Sequence, residues 1–185
     1  LLEGMDDLDF FVCGSVRRGL EEVGDVDMIV VNPFPDKGYC QKFFESGAKK
    51  SRTYNYFGRQ INMWSTTPDL LGAAILYATG SGRFNQRIRQ LCIQKKMKLS
   101  QNGLVDRSSG KLLAGESEKQ IFNRIGLKYI PPEYRSSKQI RSTFKTFALG
   151  NQKDLSYEEP ILGRVFDRDR YSLLQQNFLP ARYEG

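Results

Sequence analysis

Val12-Cys13-Gly14-Ser15-Val16-Arg17-Arg18-Gly19, followed by Gly24-Asp25-Val26-Asp27-Met28-Ile29-Val30, is the stretch on which the fold turns. The apolar run Phe10-Phe11-Val12-Cys13 reads as a buried strand that ends in a Gly-Ser turn. Backbone N–H groups of such a turn, at the start of a helix, can face a phosphate. Arg17 and Arg18 add cations able to pair with phosphate oxygens. Further on, two aspartates one residue apart open a second apolar run, Met28-Ile29-Val30-Val31. Alternation along a strand puts Asp25 and Asp27 on one face. There they can hold one or two Mg²⁺ ions for phosphoryl transfer. Taken singly, Asp-Val-Asp reads as a solvated turn and a Gly-Ser turn carries little; their order and spacing carry the signal.

The rest of the composition narrows the chemistry. The chain has 185 residues, 39% of them hydrophobic, and a formal net charge of +7. That length suits one compact domain or two small ones sharing a core. No apolar run approaches the roughly 20 residues of a spanning helix, so no membrane partner is expected. There is no histidine, which excludes a Ser-His-Asp or Cys-His nucleophile system and argues against zinc. Catalysis would rest on carboxylates, Lys or Arg, and hard metal ions. The basic excess fits a polyanionic partner, or equally plain solubility. Cys13, Cys40 and Cys92 are scattered and odd in number, which points to a reducing, intracellular compartment (nucleus, or the cytoplasm of a bacterial or virus-infected host) rather than secretion. Leu1 to Phe10 show no basic-then-apolar leader, and the chain opens without Met, as a fragment of a longer protein would.

Downstream, a helix is expected over Lys37 to Ser46, with Gly47 as its stop. Two strands, Ser51 to Phe57 and Gln60 to Ser65, flank a turn at Gly58-Arg59. Thr67-Pro68 opens an apolar helix, Asp69 to Tyr77. A basic helix runs from Arg83 to Met97. Asn102-Gly103 and Ser109-Gly110 punctuate a small hairpin. Ser117 and Gln120 form a capping box for a helix Glu118 to Ile125, ended by Gly126. Pro131-Pro132 halts regular structure. From Ser136 periodicity fades, and Phe144, Phe147, Tyr157, Phe166 and Tyr171 are left to pack back on the core or meet a partner, with Arg164 to Arg170 as a solvated face.

In order and spacing, the Gly14-Ser15 and Asp25-Val26-Asp27 blocks resemble the polymerase-beta-type nucleotidyltransferase superfamily. Leu76-Tyr77-Ala78-Thr79-Gly80-Ser81 with Phe84-Asn85 and Arg89 resembles the nucleotide-binding segment of its family X DNA polymerases. Ser117 to Phe122 and Gly126 to Arg135 resemble the end of that family's thumb. The resemblance covers residues 8 to 135. It implies an α+β fold: a nucleotidyltransferase palm over 1–80, built on a mixed sheet with helices on one face, then a small α+β thumb over 81–135 that contacts nucleotide and template. Residues 136–185 would be a C-terminal extension.

The resemblance also assigns roles. Gly14, Ser15, Arg18 and Gly24 would belong to the nucleotide site, Ser15 and Arg18 on the triphosphate. Gly80 would sit under sugar and base beside Tyr77. Asn85 would read the minor-groove edge of the incoming base, and Arg89 would reach the template. The partners would be a dNTP and primer-template or gapped DNA, used in short-gap repair or replication; the cofactor would be two Mg²⁺ ions, or Mn²⁺. The pattern breaks at one point. The family's third metal-binding aspartate falls 17 residues before Thr79, on Asn62. Asn is a weaker ligand for a hard cation and no base. Binding is therefore expected to survive while chemistry slows, whether the exchange is engineered, as the intact neighbouring blocks favour, or a natural pseudo-site. Gln60 stands where relatives often carry a primer-orienting Arg, and Ala78 where many carry an aromatic. Two further readings stay open: a template-independent nucleotidyltransferase, and a non-catalytic DNA-binding or assembly subunit.

Overall fold

The computed structural model describes residues 10–31, 51–56, 58–136 and 140–148. The expected helix at Lys37 to Ser46 lies outside them, as do Tyr157, Phe166, Tyr171 and the Arg164 to Arg170 run. Among the described residues the class is α+β, with two small sheets.

The first sheet is mixed and ordered β1-β2-β4-β3. Strands β1 (Phe10–Val12) and β2 (Asp25–Val31) pair antiparallel, so that Phe11 lies opposite Ile29. Strand β2 starts at Asp25, so both aspartates lie on it, as the sequence reading expects. Strands β3 (Ser51–Tyr56) and β4 (Arg59–Thr66) form the expected hairpin, turned at Gly58 with φ 71°, a conformation that favours glycine. Strand β4 runs parallel to β2, Asp27 opposite Asn62. The face carrying Asp25 and Asp27 continues into Ile29 and Val31, which are buried with Cys13 against Leu71, Ala74 and Ile75. One end of that face is thus core and the other is polar.

Those three apolar partners lie on α2 (Leu71–Thr79). The helix starts later than expected. The Thr67 hydroxyl is drawn to the Asp69 carboxylate rather than to a backbone N–H, and Pro68–Leu70 form a 3₁₀ turn instead. Helix α2 is buried on nearly every side. Its Ala73 and Leu76 enter a second core with Phe84, Ile88 and Phe122. Gly72 allows the closest approach, since a Cβ there would collide with the Ser117 backbone.

That second core belongs to α3 (Gly82–Gln94), a three-stranded antiparallel sheet and two further helices. Helix α3 buries Phe84, Ile88 and Cys92, four residues apart, and exposes Arg83, Arg87 and Arg89. It ends at Gln94, not Met97. Lys96 takes φ 59°, and Met97 is buried as the first residue of β5 (Met97–Ser100). With β6 (Gly103–Asp106) and β7 (Leu112–Ala114) this makes a meander in place of a single hairpin.

Helix α4 (Glu118–Arg124) carries half of the expected capping box. The Ser117 hydroxyl accepts from the Gln120 N–H at 3.2 Å, but the Gln120 amide turns to Glu116 at 3.1 Å. Gly126, φ 80°, ends the helix. Pro132–Arg135 form a 3₁₀ turn rather than an irregular stop. Beyond Ser136 the chain forms α5 (Ile140–Thr146), which the fading periodicity did not suggest. Phe144 packs on Phe84 at 5.2 Å between ring centres, and the Lys128 N–H donates to the Phe147 carbonyl at 2.9 Å. Among the described residues no helix is long and apolar enough to cross a membrane.

Candidate active site

Parallel, in-register pairing of β2 and β4 brings Asp25, Asp27 and Asn62 together at the polar end of the sheet face. Nδ2 of Asn62 donates to Asp25 Oδ2 at 3.0 Å and to Asp27 Oδ1 at 3.1 Å. Its Oδ1 accepts from Thr53 Oγ1 at 3.0 Å and Gln60 Nε2 at 2.9 Å. Both N–H groups and both lone-pair directions of the amide are therefore used, and the acceptor-only carboxylates of Asp25 and Asp27 dictate that nitrogen, not oxygen, faces them. Burial pushes the Asp27 carboxyl above its ordinary value; the Asn62 hydrogen bond pulls it back, the Asp25 charge adds to the rise, and Arg18 opposes it.

The Gly-Ser turn is built against this pair. Helix α1 (Gly14–Arg17) is a single turn entered from Cys13, whose N–H donates to the Asp27 carbonyl at 2.7 Å. Gly14 has φ 61°, and a Cβ there would run into the Asp27 carboxylate. Only glycine meets both demands. Ser15 follows it, half-buried, one residue from this contact. Arg18 reaches the Thr79 carbonyl and lies beside Gly80. Its pKa is lowered by burial, with Asp27 opposing.

Arg17 does not join Arg18 as a phosphate-facing cation. Its guanidinium turns inward, donating to Thr79 Oγ1 at 2.7 Å, Glu118 Oε2 at 2.8 Å and Tyr129 Oη at 3.4 Å. Burial would lower its pKa, but the Glu118 carboxylate outweighs that and raises it. The remaining expected site residues lie along α2 and α3. Tyr77 is exposed, and its carbonyl accepts from Asn85 Nδ2 at 2.7 Å. Arg89 Nε folds back onto the Asn85 carbonyl at 3.0 Å. At Gly24 a side chain would meet open space, so neither crowding nor φ demands glycine there.

Two carboxylates converging on one point fit a hard divalent cation whose other ligands come from phosphate and water. For a second ion the described residues add only the neutral amide of Asn62, and among them no three His, Cys, Asp or Glu gather. The thiols of Cys13 and Cys92 are buried, and burial pushes them up to about 12 and about 11, which leaves them protonated and inert.

A family model described as the DNA polymerase beta thumb matches residues 74–136, from within α2 to the end of the 3₁₀ turn at Pro132–Arg135. DNA polymerase lambda of Rattus norvegicus is 26% identical, over 66% of this chain and 28% of its own length. The "DNA polymerase/3'-5' exonuclease PolX" of Bacillus subtilis is 25% identical, over 74% of this chain and 26% of its own. The chain is thus similar to family X DNA polymerases. DNA polymerase IV of Saccharomyces cerevisiae shares 36% identity over 46% of this chain and 14% of the relative. The chain spans less than a third of the length of these family X relatives.

Sequence reading did not foresee the contacts of Thr53, Thr79, Glu118 and Arg135 around the site residues. Thr53 is opposite Asn62 only through strand register. In the sequence Glu118 is only the first residue of the helix expected after Ser117. Its partner Arg17 lies 101 residues away, beyond any local pattern.

Proposed function

We propose that this chain is the nucleotide- and DNA-binding core of a DNA polymerase-type nucleotidyltransferase whose chemical step is weakened by Asn62. The observation that carries the proposal is the Asn62 amide, hydrogen-bonded to Asp25 at 3.0 Å and Asp27 at 3.1 Å on adjacent parallel strands. It stands where a third carboxylate would complete a phosphoryl-transfer site.

Asp25 and Asp27 would hold one Mg²⁺ ion, which when bound supplies charge neutralisation for the triphosphate. Ser15 and Arg18 would bind phosphate oxygens, Arg18 as a permanent cation beside Gly80. Tyr77 and the Gly80 turn would floor the sugar and base. Asn85 and Arg89 would meet the base pair after leaving the intrachain hydrogen bonds they now make. Asn62 cannot take the proton of a primer 3′-hydroxyl, and its nitrogen faces the carboxylates. A loss on the order of 10²-fold or more in the chemical step follows from a missing base or metal function. The short-gap repair or replication setting, the DNA partner and an intracellular location are part of the same proposal; the buried free thiols support a reducing compartment.

A second reading, the non-catalytic DNA-binding subunit, draws on the fully satisfied hydrogen bonds of Asn62, which would suit a site settled without metal. Titration with a fluorescent dNTP and with primer-template DNA, in Mg²⁺, tests binding under both readings. Primer extension then separates them. Saturable binding of both ligands with slow, templated extension is expected. Loss of dNTP binding with retained DNA binding would favour the second reading and sink the first.

A further inference from the structure

Two charged side chains, Glu118 and Arg135, are buried between the Gly-Ser turn and α4, with Arg17 half-buried beside them. Glu118 accepts from Arg17 through Oε2 at 2.8 Å and from Arg135 through Oε1 at 2.6 Å. Arg135 is 0% exposed, with its guanidinium 5.4 Å from the Phe84 ring centre, 5.3 Å from Phe122 and 5.5 Å from Tyr129. Its Nε donates to the Ile130 carbonyl at 2.8 Å, and among the described residues its Nη2 has no hydrogen-bond acceptor. An assembly that leaves a buried guanidinium NH2 group unmatched is a poor way to gain stability alone.

Its placement suggests another task. Thr79, buried, receives both neighbouring arginines: its hydroxyl accepts from Arg17 at 2.7 Å and its carbonyl from Arg18. On the other side of Gly80, Ser81 donates to the Arg135 carbonyl through its N–H at 3.3 Å and its Oγ at 2.9 Å. The Thr79-Gly80-Ser81 turn is thus gripped by Arg17 on one flank and Arg135 on the other, and Glu118 ties the two arginines together.

We propose that Arg17, Glu118 and Arg135 form a positioning clamp that locks the Gly14-Ser15 turn and the Thr79-Gly80-Ser81 turn into one rigid seat for the nucleoside triphosphate. Arg17 and Arg135 do not touch the nucleotide; they act through Thr79 and Ser81. The inference rests on the nucleotide-binding reading and adds to it the device that sets the spacing of the two turns.

The test is Thr79→Val, which removes one hydroxyl and keeps the shape, alongside Arg17→Lys and Arg17→Ala. Dissociation constants are measured for a fluorescent deoxynucleoside triphosphate with Mg²⁺ and for primer-template DNA, with a thermal melt for each protein. The clamp requires triphosphate affinity to fall on the order of tenfold in Thr79→Val. DNA affinity should hold within about twofold and the melting midpoint within about 4 °C. Arg17→Ala should lose more affinity than Arg17→Lys. Unchanged triphosphate affinity in Thr79→Val overturns the clamp even if Arg17→Ala fails to fold. Triphosphate and DNA affinities falling in parallel with stability also overturn it, since that marks mere stitching. No triphosphate binding by the unaltered chain overturns the parent reading and the clamp with it.

Discussion

At the scale of single residues, the site is organised around two atoms that have no freedom. The Gly14 α-carbon lies against Asp27 in a left-handed conformation, so Gly14→Ala meets strain and a collision together. That substitution is expected to destabilise the fold by about 1–3 kcal/mol and to displace the Asp27 carboxylate. Thermal melts, with triphosphate titration of the surviving fold, check it. The second atom is Asn62 Nδ2, which bridges two carboxylates much as a cation would. Removal of divalent ions with EDTA is therefore expected to lower the melting temperature of the unaltered chain only slightly, and much less than that of Asn62→Asp. In Asn62→Asp three carboxylates face one another, and the metal-free protein should lose about 1–4 kcal/mol, recovered on adding Mg²⁺. A melting curve of the unaltered chain that moves strongly with EDTA would contradict this account of Asn62.

At the scale of elements, α2 and α4 decide how the two cores meet. Helix α2 is shared, with Leu71, Ala74 and Ile75 on the first sheet and Ala73 and Leu76 in the second core. Helix α4 contributes Glu118, whose carboxyl is opposed by burial but pulled down by Arg135 and then Arg17, from 4.5 to about 2. A depressed carboxyl stabilises the fold above its unfolded value and stops doing so as pH falls through its folded value. The resulting acid transition should therefore lie between about pH 4.5 and about pH 2. Glu118→Gln is expected to remove that pH dependence and to cost about 3 kcal/mol or more at neutral pH, because it leaves the buried Arg135 and the half-buried Arg17 without their counter-charge. Melts from pH 2 upward, run on both proteins, measure it. The boundaries of these elements were legible where the chain carries local punctuation: Gly58 at the hairpin, Ser117 before α4, Gly126 after it. They were not legible where tertiary packing decides. Met97 continues the basic periodicity of α3 yet is claimed by β5, and Phe144 finds its place only against Phe84 from another helix.

Across the whole molecule, a net charge of +7 and the exposed Arg83, Arg87 and Arg89 of α3 present a surface suited to a polyanion. Primer-template affinity should weaken linearly in log–log plots against salt, with a slope of about −0.9 per phosphate neutralised. Asn62→Asp should shift that slope by less than about one phosphate. The carboxylate pair and the Gly-Ser turn could be read from spacing because each lies within a short stretch of chain. The clamp and the Thr53 contact with Asn62 could not, because they arise only when separate segments pack. The most direct measurement is single-turnover primer extension in Mg²⁺ by the unaltered chain and by Asn62→Asp. The expected result is equal dNTP binding with a rate at least about 10²-fold higher for Asn62→Asp. Equal rates, or no extension by either protein, would contradict the claim that Asn62 is what holds this site back.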